Sequence, residues 1–291
     1  MEGIVAMFFM LGISLSHLVT GNAQDYFDVG KFGAVGDGNT DDSPALHFQL
    51  CNDLRLRGLT HLNSQRNHIG IHNCSGVAIS DLHIIAPSDS PNTDGINIAL
   101  STTLVISNTF IGTGDDCIAI SGGTSNINIT SVTCGPGHGI SIGSLGEDGT
   151  SQNVDQVHVT GCTFNQTMNG ARIKTIPGGT GFARDISFEW ITLIASGNPI
   201  VIDQHYCNGR DHYCQDQEKA IAVSDVTFSG FRGTSAAIEA INLDCSKQGC
   251  RGITVDNINI TSSFGKNLRV VCNNAYGTTA STVPAVSCLL S

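Results

Sequence analysis

Asp94-Gly95-Ile96-Asn97-Ile98, Asp116-Cys117-Ile118-Ala119-Ile120 and His138-Gly139-Ile140-Ser141-Ile142 repeat one arrangement at steps of 22 residues. Each sets an ionisable side chain two positions ahead of an Ile-x-Ile strand. A repeat of this length is one coil of a solenoid, in which neighbouring coils pair as parallel strands. Equivalent positions then stack about 4.7–4.9 Å apart. Asp94, Asp116 and His138 are therefore expected to form a ladder on one face, with Asp115 beside it. Carboxylates and an imidazole held that close are costly unless they do chemistry.

The pattern continues on both sides. An earlier coil runs through Ile71, Val77, Ile79, Leu82 and Ile84, and second strands are expected at Asn126–Ile129 and Val157–Val159. Later coils open at Asn169–Lys174 and Asn198–Asp203, then run through Ile221–Phe228, Ile238–Leu243 and Ile253–Ile260. Apolar and polar residues alternate, which marks inward and outward faces of strands, and helical periodicity is nearly absent. The fold class expected is all-β, a single-stranded right-handed parallel β-helix. A leucine-rich horseshoe is disfavoured, because its repeated Leu and Asn consensus is missing. The polar insertion from Cys207 to Glu218 is expected to be a loop on the binding side of the solenoid.

Composition agrees with short strands and tight turns: 34 of the 291 residues are glycine and only 13% are charged. Residues 4–19 are mostly apolar and lead to small residues at Gly21 and Ala23, so residues 1–23 are expected to be a signal peptide and 24–291 a single domain. No long apolar span follows, and a soluble, secreted protein without membrane association is expected. Sequons at Asn73, Asn128, Asn165 and Asn259 suit export. The 11 cysteines leave at least one unpaired within the chain, with Cys51, Cys74 and Cys162 the candidates. Cys117/Cys134, Cys207/Cys214, Cys245/Cys250 and Cys272/Cys288 are close in sequence. His68 and His72 have a ligand-like spacing but no accompanying CxxC, so no metal is expected. A net charge of −11 argues against nucleic acid as a partner. An acidic ligand would need a local basic spot.

Such a spot is present. Aligning Asn169 with His138 puts Arg172 and Lys174 at alternate positions of the next strand, on one outward face. An Arg-x-Lys pair alone is ordinarily a solvated face; here it follows carboxylates and an imidazole in successive coils. That order suits a negatively charged sugar, with cations on its carboxylate and acids at the glycosidic bond.

Four motifs carry a resemblance: Ser90-Pro91-Asn92-Thr93-Asp94-Gly95, Thr113-Gly114-Asp115-Asp116-Cys117, Cys134-Gly135-Pro136-Gly137-His138-Gly139 and Arg172-Ile173-Lys174. The chain resembles the plant polygalacturonases, of the pectin-cleaving glycoside hydrolase family, from about Leu46 to the C-terminus and over Phe27 to Ala45. The resemblance implies inverting hydrolysis of α-1,4-linked galacturonan in the cell wall, with no cofactor, by a secreted monomer. It implies Asp115 as general acid, Asp94 and Asp116 as activators of water, and His138 as a tuner of the acid. Arg172 and Lys174 would hold substrate carboxylates and Tyr206 would contact substrate; on their own, His205 and His212 read as loop residues without a chemical task. Disulfides Cys117–Cys134, Cys245–Cys250 and Cys272–Cys288 are implied as well. Inversion asks for acid and base carboxyls about 6.5–9.5 Å apart. Two alternatives share the fold: another pectin-active enzyme, such as a rhamnogalacturonan hydrolase or a calcium-dependent pectate lyase, and a catalytically impaired pectin-binding solenoid.

One departure from the resemblance bears on the scaffold. Phe32–Asp42 looks like a structural opening motif, so its three Asp residues are assigned no catalytic role. In relatives a helix and several coils follow it, whereas here Ser43-Pro44-Ala45 leads directly to Leu46. Several coils are expected to be missing, with a less well covered edge at that end.

Overall fold

The computed structural model describes residues 26–28, 46–207 and 214–291. The expected signal peptide over 1–23, the segment Phe32–Asp42, the junction at 43–45 and His212 lie outside the described residues. What is described is the expected parallel β-helix. Nine strands, one per coil, stack into a single sheet: Leu46–Gln49, Ile69–His72, Ile96–Ala99, Ile118–Ile120, Ile140–Leu145, Asn169–Thr175, Asn198–Asp203, Glu239–Asp244 and Arg269–Asn273. The other strands form two further ladders. Both join at the long strand Cys250–Ser262, which pairs with Ala222–Ser229 and with Arg232–Ser235. Tyr26–Asp28 pairs in parallel with Thr60–Leu62. No described helix is long and apolar enough to cross a membrane.

The register explains why these residues make this fold. Ile69, Ile96, Ile118, Ile140, Ala171, Ile200 and Ile241 follow one another along the nine-stranded sheet as direct partners. All seven are fully buried, as are Ile98, Ile120, Ile142, Ile173, Ile202 and Leu243 two positions later. The residue between the two rows points outward in every coil, giving Asn97, Ala119, Ser141, Arg172, Val201 and Asn242 as neighbours in sequence of coils. β-Branched side chains suit this pleated stacking. Corners between ladders use left-handed backbone at Asn63, Asn73 and Asn108, with φ of 52°, 53° and 49°, a conformation Asn tolerates better than most residues.

Disulfides join Cys117–Cys134, Cys245–Cys250 and Cys272–Cys288, as the resemblance implied, and also Cys207–Cys214. Of the three candidates for an unpaired cysteine, Cys51 and Cys74 are bonded to each other. The cause is register: Gln49 pairs with His72, so the residues two places on face each other across adjacent coils, with Cα atoms 4.5 Å apart. Cys162 is free and buried, and burial pushes its thiol pKa up to about 11.

Aromatic residues fill part of the core: Phe164, Phe188, Phe228 and Phe231 are fully buried. Phe188 and Phe228 are register partners whose rings stack 5.9 Å apart, and Phe231 meets Phe228 edge-on. Phe188→Ala should therefore lower the unfolding free energy by about 3–5 kcal/mol, read from the urea midpoint. Val105→Thr, on an outward position that is 45% exposed, should change it by less than about 0.5 kcal/mol. Equal effects at the two positions would contradict the inward–outward assignment.

Candidate active site

The first two motifs lock together through a close approach of backbones. A side chain on Gly114 would collide with the carbonyl of Ser90 in the preceding coil. The Gly114 N–H donates to Thr93 Oγ1 at 2.9 Å, and Thr93 Oγ1 donates to Ser90 O at 3.0 Å. Only glycine fits there, and the contact sets Asp94 beside Asp115 and Asp116. Gly137 plays a similar part for the third motif: its φ is +139° and an added Cβ would lie 2.8 Å from Asp115 O.

Asp116 is 2% exposed and is the anchor of the site. Its Oδ1 accepts from Arg172 Nη2 at 2.6 Å and from Ser141 Oγ at 2.9 Å, and its Oδ2 accepts from Lys174 Nζ at 2.9 Å. Arg172 Nε donates in turn to Ser141 Oγ at 2.9 Å. Ser141 and Arg172 are register partners, so these contacts come from three successive coils. Both oxygens of a buried carboxylate are thus met by cations, the condition under which a buried charge is tolerated.

Asp115, next in sequence, turns the other way. It is half-buried, and its Oδ1 lies 3.0 Å from His138 Nδ1 and accepts the Asp116 N–H at 2.8 Å. Burial alone would raise its pKa. The hydrogen bond and charge of His138, the Asp116 N–H and the charge of Lys174 outweigh burial and hold it below the ordinary carboxylate value. His138 therefore meets Asp115, not its ladder neighbour Asp116.

Asp94 has the opposite environment. Burial first, then repulsion from Asp115 and Asp116, push its pKa up to about 8, against smaller pulls from Lys174 and an Asn97 hydrogen bond. The site thus keeps a proton on Asp94 up to about pH 8, while the surroundings of Asp115 favour its charged form. Asp115, Asp116 and His138 offer ligand atoms within 4.8 Å of one another, a spacing a cation could use. Arg172 and Lys174 already compensate Asp116. Tyr206 joins through Lys174, whose Nζ stands 5.2 Å from the ring centroid.

All seven residues singled out in the sequence are brought together. Ser141, which bridges Asp116 and Arg172, was missed, although its outward place in Ile140-Ser141-Ile142 was a usable signal. His205, expected as a loop residue without a chemical task, is 4% exposed and lies against Asp244 and Asp216. Its partners are 39 and 11 residues away, which no local pattern reveals. His68 is buried with its Nδ1 2.7 Å from that of His61, while His72 is exposed, so the two do not face one site.

A protein named "Probable polygalacturonase" from Arabidopsis thaliana is 49% identical over 250 residues, covering 84% of this chain and 55% of its own length. A polygalacturonase from Malus domestica is 40% identical over 274 residues, covering 88% of this chain and 58% of its own. The chain spans just over half the length of these relatives. Among solved structures, the endo-xylogalacturonan hydrolase from Aspergillus tubingensis superposes with a TM-score of 0.75 at 26% identity, over 88% of this chain and 73% of that one. Endopolygalacturonase I from Stereum purpureum, solved with two galacturonates, shares the fold with a TM-score of 0.68 at 22% identity, over 88% and 78%. The profile described as Glycosyl hydrolases family 28 matches residues 8–282, and the chain belongs to that family.

Proposed function

We propose that the chain hydrolyses α-1,4 bonds of polygalacturonan with inversion, as a secreted cell-wall protein acting as a single chain. The observation that carries this reading is the contrast among three neighbouring carboxyls. Asp116 lies under two cations, Asp115 is held below the ordinary carboxylate value against His138, and Asp94 keeps a proton. Unequal environments on adjacent carboxyls are how one site supplies both an acid and a base.

In this reading Asp115 gives its proton to the leaving glycosidic oxygen. Asp94 and Asp116 take the proton of the water that attacks the anomeric carbon from the other side. The free site holds its proton on Asp94, so Asp115 must gain it once substrate enters. A uronate carboxylate arriving beside Asp115 excludes water and adds negative charge, and both raise the proton affinity of Asp115. His138, facing Asp115, sets how readily that shift occurs. Arg172 and Lys174 bind the substrate carboxylate, and Tyr206 packs against the sugar. Five disulfides suit an oxidising extracellular compartment. The Asn73, Asn128 and Asn259 sequons are exposed and fit to carry glycans. Residues 1–23 would be removed as a signal peptide, leaving 24–291 as the mature domain.

The direct test is reducing-sugar release from polygalacturonic acid, with xylogalacturonan as a second substrate. Asp115→Asn and Asp116→Asn should each lower kcat by about 10²–10⁴-fold. Oligogalacturonide binding without turnover by the folded wild-type chain would replace this reading with that of a pectin-binding solenoid.

The raised pKa of Asp94 gives a second test with a fixed sign. Above about 8 the three carboxyls lose their shared proton, so kcat/KM should fall as pH rises toward and through that value. A profile that keeps rising from pH 6 to 9 would contradict it. The same shift means that the fold gains from protonated Asp94 at low pH and loses that gain as pH climbs from the unfolded carboxylate value to about 8. Asp94→Asn, neutral at every pH, should thus be inactive yet melt higher than wild type at pH 8–9.

A further inference from the structure

Beyond the residues given a role so far, one buried imidazole stands between two carboxylates from separate parts of the chain. His205 Nδ1 lies 2.7 Å from Asp244 Oδ2, and its Nε2 lies 3.1 Å from Asp216 Oδ1. Asp244 ends the next strand of the nine-stranded sheet, where it is the register partner of Asp203. Asp216 belongs to the polar insertion after Cys207. Each carboxylate is held in turn: Asp244 Oδ1 accepts from Asn273 Nδ2 at 2.8 Å, and Asp216 Oδ1 accepts the Lys247 N–H at 3.3 Å.

The backbone of His205 is fixed as firmly as its ring. Its N–H donates to Asp203 Oδ1 at 2.9 Å, and its carbonyl accepts the Cys214 N–H at 3.1 Å. On the other side, Gln204 Nε2 donates to Ile221 O at 2.8 Å and its Oε1 accepts the Ser246 N–H at 3.1 Å. Tyr206 follows directly, with its ring facing the Lys174 ammonium.

We infer that His205, held by Asp216 and Asp244, is a positioning residue that fixes the Tyr206 ring against Lys174 and so shapes the anion-binding half of the site. The inference rests on the pectin reading above. The two ring nitrogens of imidazole diverge, so one small side chain reaches two carboxylates on opposite sides. A glutamine amide reaches one of them at most. Without that double hold, the insertion carrying Asp216 loses one of its ties to the sheet, and Tyr206 loses a defined place over Lys174.

The test is calorimetric titration with trigalacturonate, using an Asp115→Asn parent so that the ligand is not cleaved. His205→Gln and Asp216→Asn should each weaken binding about tenfold. His205→Gln combined with Tyr206→Ala should bind no more weakly than Tyr206→Ala alone, because both act through one ring. In the chain with Asp115 intact, His205→Gln should raise KM about tenfold with kcat within twofold. Asp216→Asn changes the less buried end of the same contact and serves if His205→Gln does not fold. Unchanged binding in a folded His205 or Asp216 variant, or full additivity with Tyr206→Ala, would overturn the inference alone. A folded parent that binds no trigalacturonate would overturn both the pectin reading and the inference built on it.

Discussion

The in-register stacking of the nine-stranded sheet is the constraint on which the rest of the structure depends. A slip of one residue in any coil would turn its buried isoleucines outward and its outward residue inward. The rows through Ile118 and Ile120 and through Ile140 and Ile142 exclude that slip, because their buried apolar area would be lost. Ser141 and Arg172 therefore meet on the outer face as a by-product of core packing. The chemistry is aligned by residues that take no part in it.

Within that frame, three similar side chains meet three different electrostatic surroundings. Taking a carboxylate out of water is costly, and Asp116 recovers the cost through two cations and a hydroxyl. Asp115 recovers it through His138 and a backbone N–H. Asp94 is buried, lacks a cation of its own and is repelled by both neighbouring carboxyl groups, so keeping a proton is its lower-energy state. Removing either Arg172 or Lys174 would disturb all three, since the charge on Asp116 is part of what loads the proton onto Asp94.

The sequence made the solenoid legible because coils from Ile96 to Ile140 keep one length, and stacked positions could be counted directly. The carboxylate cluster and the Arg172/Lys174 pair followed from that count. Past Ile142 the coil length changes: Ile140 pairs with Ala171, Ala171 with Ile200 and Ile200 with Ile241. Counting fails there, and only the Ile-rich strands mark the coils. Which way Asp115 and His138 turn was also beyond a one-dimensional pattern, since a ladder places Cα atoms and leaves side-chain rotamers open. Cys51–Cys74 was within reach, for its spacing equals the coil step at that point. It was passed over because buried thiols are common as small apolar residues. The His205 contacts were out of reach, because they depend on how an insertion folds back on the sheet.

The acidic character of the chain sharpens what Arg172 and Lys174 must do. With a net charge of −11, the long-range field repels a polyanion, so attraction has to come from contacts within a few ångströms, where local charge outweighs the screened total. Both cations already serve Asp116, yet neither is exhausted by it. Arg172 spends Nε on Ser141 and Nη2 on Asp116, out of five N–H donors that a guanidinium carries. Lys174 gives one hydrogen bond to Asp116, out of three an ammonium can make. In the proposed reading a uronate carboxylate therefore binds without displacing Asp116, which keeps both of its cations while substrate is held beside it.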